Sequence, residues 1–230
     1  MTSPLMLAID TCTRFASIAL SREDEVVAEL TWVAGLQHTV QLAPRVQHLL
    51  AQDSGGVDGL GAIAVAIGPG SFNGVRTGMA FAKAMAFGAG VPLVGISALE
   101  VQAYAHSATG LPVCVIQDAG RGELASATYR NLYRRWRQVR AEAIISWDEL
   151  EEMIQRPTVI CGDLYPRLLP EVERRLKGKA ILAPPASGAR RAGYLAELAW
   201  RRIRQGDLPT PDQVLPLYLR RPAITERRKP

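Results

Sequence analysis

Residues 60–90, LGAIAVAIGPGSFNGVRTGMAFAKAMAFGAG, constrain this chain more than any other stretch. An apolar run enters a glycine loop and then a helical pattern with almost no polar side. From Arg76 to Gly90 only Thr77 and Lys83 are polar after the arginine itself. A surface helix of a globular domain keeps a wet face, so this pattern predicts cover on both sides, and another protein is a candidate for the second cover. Residues 62–67 are short, rich in β-branched side chains and apolar on both alternations. That suits an inner strand buried on both faces, with a buried helix as the alternative. Gly68-Pro69-Gly70 ends the run, and Ser71 or Asn73 is placed to cap the following helix. Within that helix Gly74, Gly78, Ala82 and Ala86 recur every four residues and form one stripe of small side chains. Such a stripe lets a second backbone approach closely. The chain's own sheet and a partner's helix both stand open as that backbone.

The flanking pattern predicts a mixed α/β lobe. Strands are expected at 5–10, 15–20 and 26–31, the last two joined by a polar turn. Leu42, Val46 and Leu49 follow at helical spacing, with Thr39 as a possible cap and Pro44 either near the first turn or kinking the helix. A strand over 91–96 and a helix over 98–106 complete the lobe. The chain then restarts: residues 113–117 form another apolar strand ending in an acid, Asp118, as the first strand ends in Asp10. A hairpin over 123–140, a helix over 147–154, a strand over 159–161 and an amphipathic helix over 192–204 are expected after it. Two lobes that open alike point to an internal duplication. The expected boundaries are 1–106, 107–219 and a basic tail, 220–230, expected to be disordered.

Composition excludes several classes. With 48% hydrophobic and 21% charged residues the chain has the balance of an ordinary soluble protein. No apolar run reaches the ~18 residues of a membrane helix. The opening MTSPLMLAID lacks a signal-peptide pattern, so a cytoplasmic location is expected. Cys12, Cys114 and Cys161 are odd in number and widely spaced, as buried thiols are. Five positive charges and one negative fall in residues 220–230, so the tail holds most of the net +5 and the body is nearly neutral.

Catalytic constellations are scarce. Asp10 follows a buried strand, where an actin-like ATPase holds its metal–phosphate group. Thr11, Cys12 and Thr13 come next, without the glycine that brings backbone to phosphate. Ending a strand and anchoring a turn is the other role open to Asp10. The GPGS loop lacks the Gly-Lys-Ser/Thr of a P-loop, the spacing of a dinucleotide fingerprint and the glycines of a nucleophile elbow. A tight strand-to-helix turn with free N–H groups is the remaining reading. His38, His48 and His106 form no i,i+4 pair, and no metal site is expected. In YRNLYRRWRQVR, residues 129–140, five arginines interleave with Tyr129, Tyr133 and Trp136. A solvated hairpin with aromatic cross-strand pairs and a single-stranded RNA surface both account for it.

Ile9-Asp10-Thr11, His38-Thr39 and the block Ile67-Gly68-Pro69-Gly70-Ser71-Phe72-Asn73-Gly74-Val75-Arg76 closely resemble the TsaB family of bacterial proteins. Gly78, Ala82, Lys83 and the run PLVGIS at 92–97 continue the resemblance. Asp118-Ala119, Gly122-Glu123 and the run LPLYLR at 215–220 extend it sparsely. The resemblance implies an α/β, two-lobed actin-like (ASKHA, ribonuclease H-like) fold with duplicated mixed-sheet lobes. It implies a non-catalytic role in N6-threonylcarbamoyladenosine modification at position 37 of tRNAs reading ANN codons. The partner would be the transferase TsaD, with the ATPase TsaE joining the assembly and tRNA reached through the complex. The contact would be a bundle of the first two helices, here Leu42, Val46, Leu49, Gly74, Gly78, Met79, Ala82, Lys83 and Ala86. No cofactor is expected to bind tightly. ATP or ADP at the boundary with TsaD would touch Asp10, Thr11 and Arg76. A homodimer through the same helices is expected for the chain alone. An independent ATP-using enzyme of the same fold, such as a sugar kinase, is the alternative.

Overall fold

The computed structural model describes residues 3–23, 25–206 and 209–220. The expected disorder of the tail beyond Arg220 lies outside the described residues. One strand order occurs twice. In the first sheet β1 (Leu5–Asp10), β2 (Phe15–Arg22) and β3 (Glu25–Val33) form an antiparallel meander. On the other side of β1, β4 (Leu60–Ala66) and β5 (Leu93–Ile96) pair in parallel, giving β3-β2-β1-β4-β5. In the second sheet β6 (Val113–Gly120), β7 (Glu123–Leu132) and β8 (Arg135–Ile145) repeat the meander. There β9 (Thr158–Gly162) and β10 (Ala180–Leu182) repeat the parallel pair, giving β8-β7-β6-β9-β10. The same topology twice in one chain is the duplicated, two-lobed actin-like architecture.

The first sheet is covered on both faces. Ile63 and Val65 of β4 face α1 (His38–Leu50) and α2 (Phe72–Ala89) together with Leu5, Leu7, Ile9 and Leu20. Ala62, Ala64 and Ala66 face the opposite way, with Met6, Ala8 and Ala19. Small residues line that second face because α6 (Ala192–Arg204) lies close upon it. The inner-strand reading of residues 62–67 holds, with residue 67 just past the strand's end.

The lobes are not consecutive pieces of chain. α6 belongs to the first lobe. The Ser17 hydroxyl accepts from the Ala192 amide at 2.9 Å, Glu29 from the Gly193 amide at 2.8 Å, and the Ser21 hydroxyl from the Trp200 indole at 3.0 Å. Val214 joins the core around α1 and α2, and the Leu217 amide donates to the Ile67 carbonyl at 2.8 Å. In the second lobe one sheet face packs on α3 (Ala98–Tyr104). The other packs on α4 (Trp147–Met153), a π-helical turn over Leu164–Leu168 and α5 (Leu169–Arg175). The π-helical turn, α5 and β10 lie outside the expected elements: β10 is three residues long, and Pro166 and Pro170 interrupt the helical pattern over 164–175.

Candidate functional site

The GPGS loop and the start of α2 are seated on the end of β1. The Ser71 amide donates to the Cys12 carbonyl at 2.7 Å, and the Ser71 hydroxyl caps α2 by accepting from the Gly74 amide. The Thr11 hydroxyl donates to the Gly74 carbonyl at 2.7 Å. A Cβ at Gly70, Gly74 or Gly78 would come within 3.0 Å of the Cys12 carbonyl, the Thr11 carbonyl or the Thr11 hydroxyl respectively. The small-residue stripe therefore answers to the chain's own backbone. Gly74, Gly78, Ala82 and Ala86 are buried against the first sheet, as is Met79 beside them. Leu42, Val46 and Leu49 are buried in the same core. Of the nine residues expected at the partner contact only Lys83 keeps access to solvent. The other eight residues help close the core of this molecule, so the solvent-facing side of α2 is made by different residues.

The outward side of α2 holds Asn73, Arg76, Ala80, Ala84, Phe87 and Gly88, all exposed, with Phe81 and Met85 half-buried. Phe87 is 86% exposed. Beyond Arg76 this face is apolar apart from the half-buried Thr77, with Lys83 half-buried at its margin. It borders a groove of about 400 Å³ shared with Ala43, Gln47 and Leu50 of α1 and with Val57 of the loop that follows.

Between the lobes lies a larger cavity of about 1050 Å³, walled by residues 12–15, the GPGS loop, Gln117, Asp118, Asp163, Arg167 and residues 217–220. Asp10, Thr11 and Arg76 do not line it. The Asp10 carboxylate is buried beneath it and accepts from the Arg190 guanidinium at 2.6 and 3.2 Å and from the Cys12 amide at 2.8 Å. Burial alone would push the Asp10 carboxyl up, but the charge and hydrogen bonds of Arg190 and the Cys12 amide bring it below the ordinary carboxylate range. Thr11 is committed to Gly74. Arg76 lies on the outer rim, 3.8 Å above the Phe72 ring, which in turn meets Tyr218 at 5.4 Å. The three residues expected at a nucleotide are thus split between a buried ion pair, a helix seat and an exposed stack. Asp10 and Thr11 do not fit a metal–phosphate group: the carboxylate already has a cation and the hydroxyl an acceptor.

Among the described residues lining the cavity, none forms a nucleophile–base pair. Cys12 is buried, its thiol is pushed well up first by burial and then by the Asp10 charge, and it donates to the Ala66 carbonyl at 3.3 Å. Asp118 is held by Arg167 at 3.0 Å. Burial raises the Asp163 carboxyl, against the pull of Arg190. The His38 ring bonds the Thr13 carbonyl at 2.8 Å and so braces a loop. All three cysteines are free and buried. Among the described residues no cluster of three or more His, Cys, Asp or Glu is placed to hold a metal, and no helix is long and apolar enough to cross a membrane.

Comparisons with known proteins bear on this geometry. The family model for TsaD, tRNA N6-adenosine threonylcarbamoyltransferase, matches residues 32–165, more than half of the chain. The "tRNA threonylcarbamoyladenosine biosynthesis protein TsaB" of Escherichia coli is 30% identical over 94% of this chain and 94% of its own length. The chain belongs to the TsaB family. The protein of the same name in Bacillus subtilis is 34% identical over 68% of this chain and 70% of its own. The TsaB fold is matched in a solved structure, YeaZ from Pseudomonas aeruginosa, with a TM-score of 0.78 at 25% identity, over 94% of this chain and all of that one. The TsaB-like loop at 67–76 is therefore, in this chain, the joint that docks α2 on β1. The residue that sequence reasoning missed is Arg190, which lies 180 positions from Asp10 and is followed by a second arginine with a different partner, Glu29. No local pattern separates the two.

Proposed function

We propose that the chain is a non-catalytic subunit of tRNA threonylcarbamoyladenosine biosynthesis that binds and activates a TsaD-type transferase. The observation that carries this reading is the outer face of α2. Ala80, Ala84 and Phe87, flanked by Phe81 and Met85, form an apolar strip on a helix whose inner face is already closed by its own sheet. Exposed apolar strips of this kind mark protein contacts. A transferase is the favoured occupant because its family model spans both α1 and α2 of this chain. Two proteins of one fold then present equivalent helices to each other, the relation that a two-fold axis gives to identical copies. On the same argument the chain alone pairs with itself through this face. The buried Asp10–Arg190 pair argues against the alternative of an independent sugar kinase, which would need that carboxylate for a metal–phosphate group.

The fuller reading places a TsaE-type ATPase in the assembly, tRNAs reading ANN codons as substrates and the cytoplasm as the location. A nucleotide at the boundary with the transferase would rest on Arg76 and the surrounding rim, not on Asp10 or Thr11. The test is co-expression with the cognate transferase, followed by affinity capture and by mass-spectrometric scoring of modified tRNA. Capture of the transferase, together with modification that depends on this chain, is the expected result. Failure to capture it with the native chain would sink the reading.

A further inference from the structure

We propose that the β7–β8 hairpin is a docking surface for the phosphate backbone of RNA, so that this chain itself holds tRNA. The identity of that RNA rests on the function proposed above. The hairpin arginines are Arg130, Arg134, Arg135, Arg137 and Arg140. Cross-strand register pairs Arg130 with Arg137, Leu132 with Arg135 and Thr128 with Arg140, so four of the five project to one face. The other face is taken. Trp136 stacks on Tyr129 at 5.7 Å and 7°, and Gln138 donates to the Tyr129 hydroxyl and to Glu142. Glu142, the acid nearest these arginines on β8, is therefore turned away from them. Among the described residues none of the five arginines is paired with a carboxylate, although nine other arginines are. The Nε of Arg130 is buried and has no acceptor. At the turn, Tyr133 and Arg134 both hold positive φ (50° and 62°), and the Tyr133 ring stands 99% exposed.

Opposed like charges such as Arg130 and Arg137 destabilise a sheet. β8 is a sheet edge, and edges are commonly guarded by charge. Such a guard does not require like charges face to face, so an external anion is the better account. Several features select a nucleic-acid backbone. All five cations are arginines, whose planar fork grips phosphate in bidentate fashion. Arg135 and Arg137 are one strand repeat apart, roughly 6.8 Å, a separation of the same order as that of neighbouring phosphates. Tyr133 offers a ring on which an unpaired base stacks. The arginine face has no apolar row to enter a bilayer.

The test is filter retention of an unmodified tRNA transcript by the full chain, with KCl varied between about 50 and 200 mM. Arg135→Gln/Arg137→Gln should weaken binding at least tenfold at low salt and flatten the slope of log K against log[KCl] by roughly 1.5, as expected for two lost phosphate contacts. Arg140→Gln should give a smaller change of the same kind. Lys177→Gln, beside the opposite edge of the same sheet, should change nothing. Unaltered affinity and slope in the double variant would overturn the proposal. So would absence of tRNA retention by the native chain, or retention only of anionic phosphatidylserine vesicles. Capture of the transferase by the double variant is scored separately, which keeps this outcome distinct from failure of the proposed function.

Discussion

Asp10 and Arg190 share a site in which each is fully buried, and each is tolerable only because of the other. Removing one partner of such a pair leaves an uncompensated charge and costs about 3–5 kcal/mol. Arg190→Met should therefore lower the urea midpoint sharply. Asp10→Asn keeps the shape but leaves the buried Arg190 cation, which cannot shed its proton, without a counter-charge, and should cost at least as much. The pH dependence has a definite sign. The folded-state pKa of Asp10 lies below its unfolded value, so its contribution is complete above the ordinary carboxylate pKa of 3.8 and is lost as pH falls below it. Stability measured from pH 6 down to pH 3 should drop less steeply in Asp10→Asn than in the native chain. Beside this pair, the glycines of α2 set a second residue-scale limit. Gly74→Ala puts a Cβ into the Thr11 carbonyl and Gly78→Leu a side chain into the Thr11 hydroxyl, each with an overpacking cost of about 1–3 kcal/mol or more. From sequence alone Gly78→Leu would be expected to break partner binding in a stable protein. The packing predicts loss of stability first, seen as a lower melting temperature of the isolated chain.

At the scale of one element, α2 shows how a helix can be apolar on two sides for two reasons. Its inner side is small because it lies on β1, and its outer side is apolar without cover from the described residues. Ala84→Arg and Phe87→Asp alter only exposed positions. Both should leave the melting temperature within a degree or two, because surface substitutions are usually worth under 0.5 kcal/mol. Both should reduce transferase capture at least tenfold. Normal capture by both variants would move the contact elsewhere on the chain. Sequence periodicity identified the small stripe and the scarcity of polar residues after Arg76, and left the cap open between Ser71 and Asn73, which the structure resolves to Ser71. It could not give the helix its rotation about its own axis. An amphipathic helix states its rotation through polar residues, and this one has too few.

Across the whole molecule, the first sheet depends on a helix that arrives last in the chain. Met6, Ala8, Ala19, Ala62 and Ala64 are covered by Ala192, Leu195, Ala196 and Ala199 of α6. A chain ending at His106 should therefore fail to give a dispersed NMR spectrum and should aggregate, despite containing every strand of that sheet. A folded, monomeric 1–106 fragment would contradict this. Two self-contained lobes are a natural expectation from strands that open alike at Asp10 and Asp118. The repeat of strand order bears out the duplication, and the C-terminal return makes the lobes interdependent.

Local chemistry fixed what is local. The alternation in β4, the glycine-proline stop, the β7–β8 hairpin and the span of α6 are all visible in runs of a few residues, since each depends on backbone preference and burial within one element. The tertiary structure alone decided which side of α2 faces inward, that Arg190 neutralises Asp10, and that α6 closes the first lobe. These depend on contacts between residues far apart in the chain, where one arginine or one alanine is chosen over another by geometry that no short pattern carries.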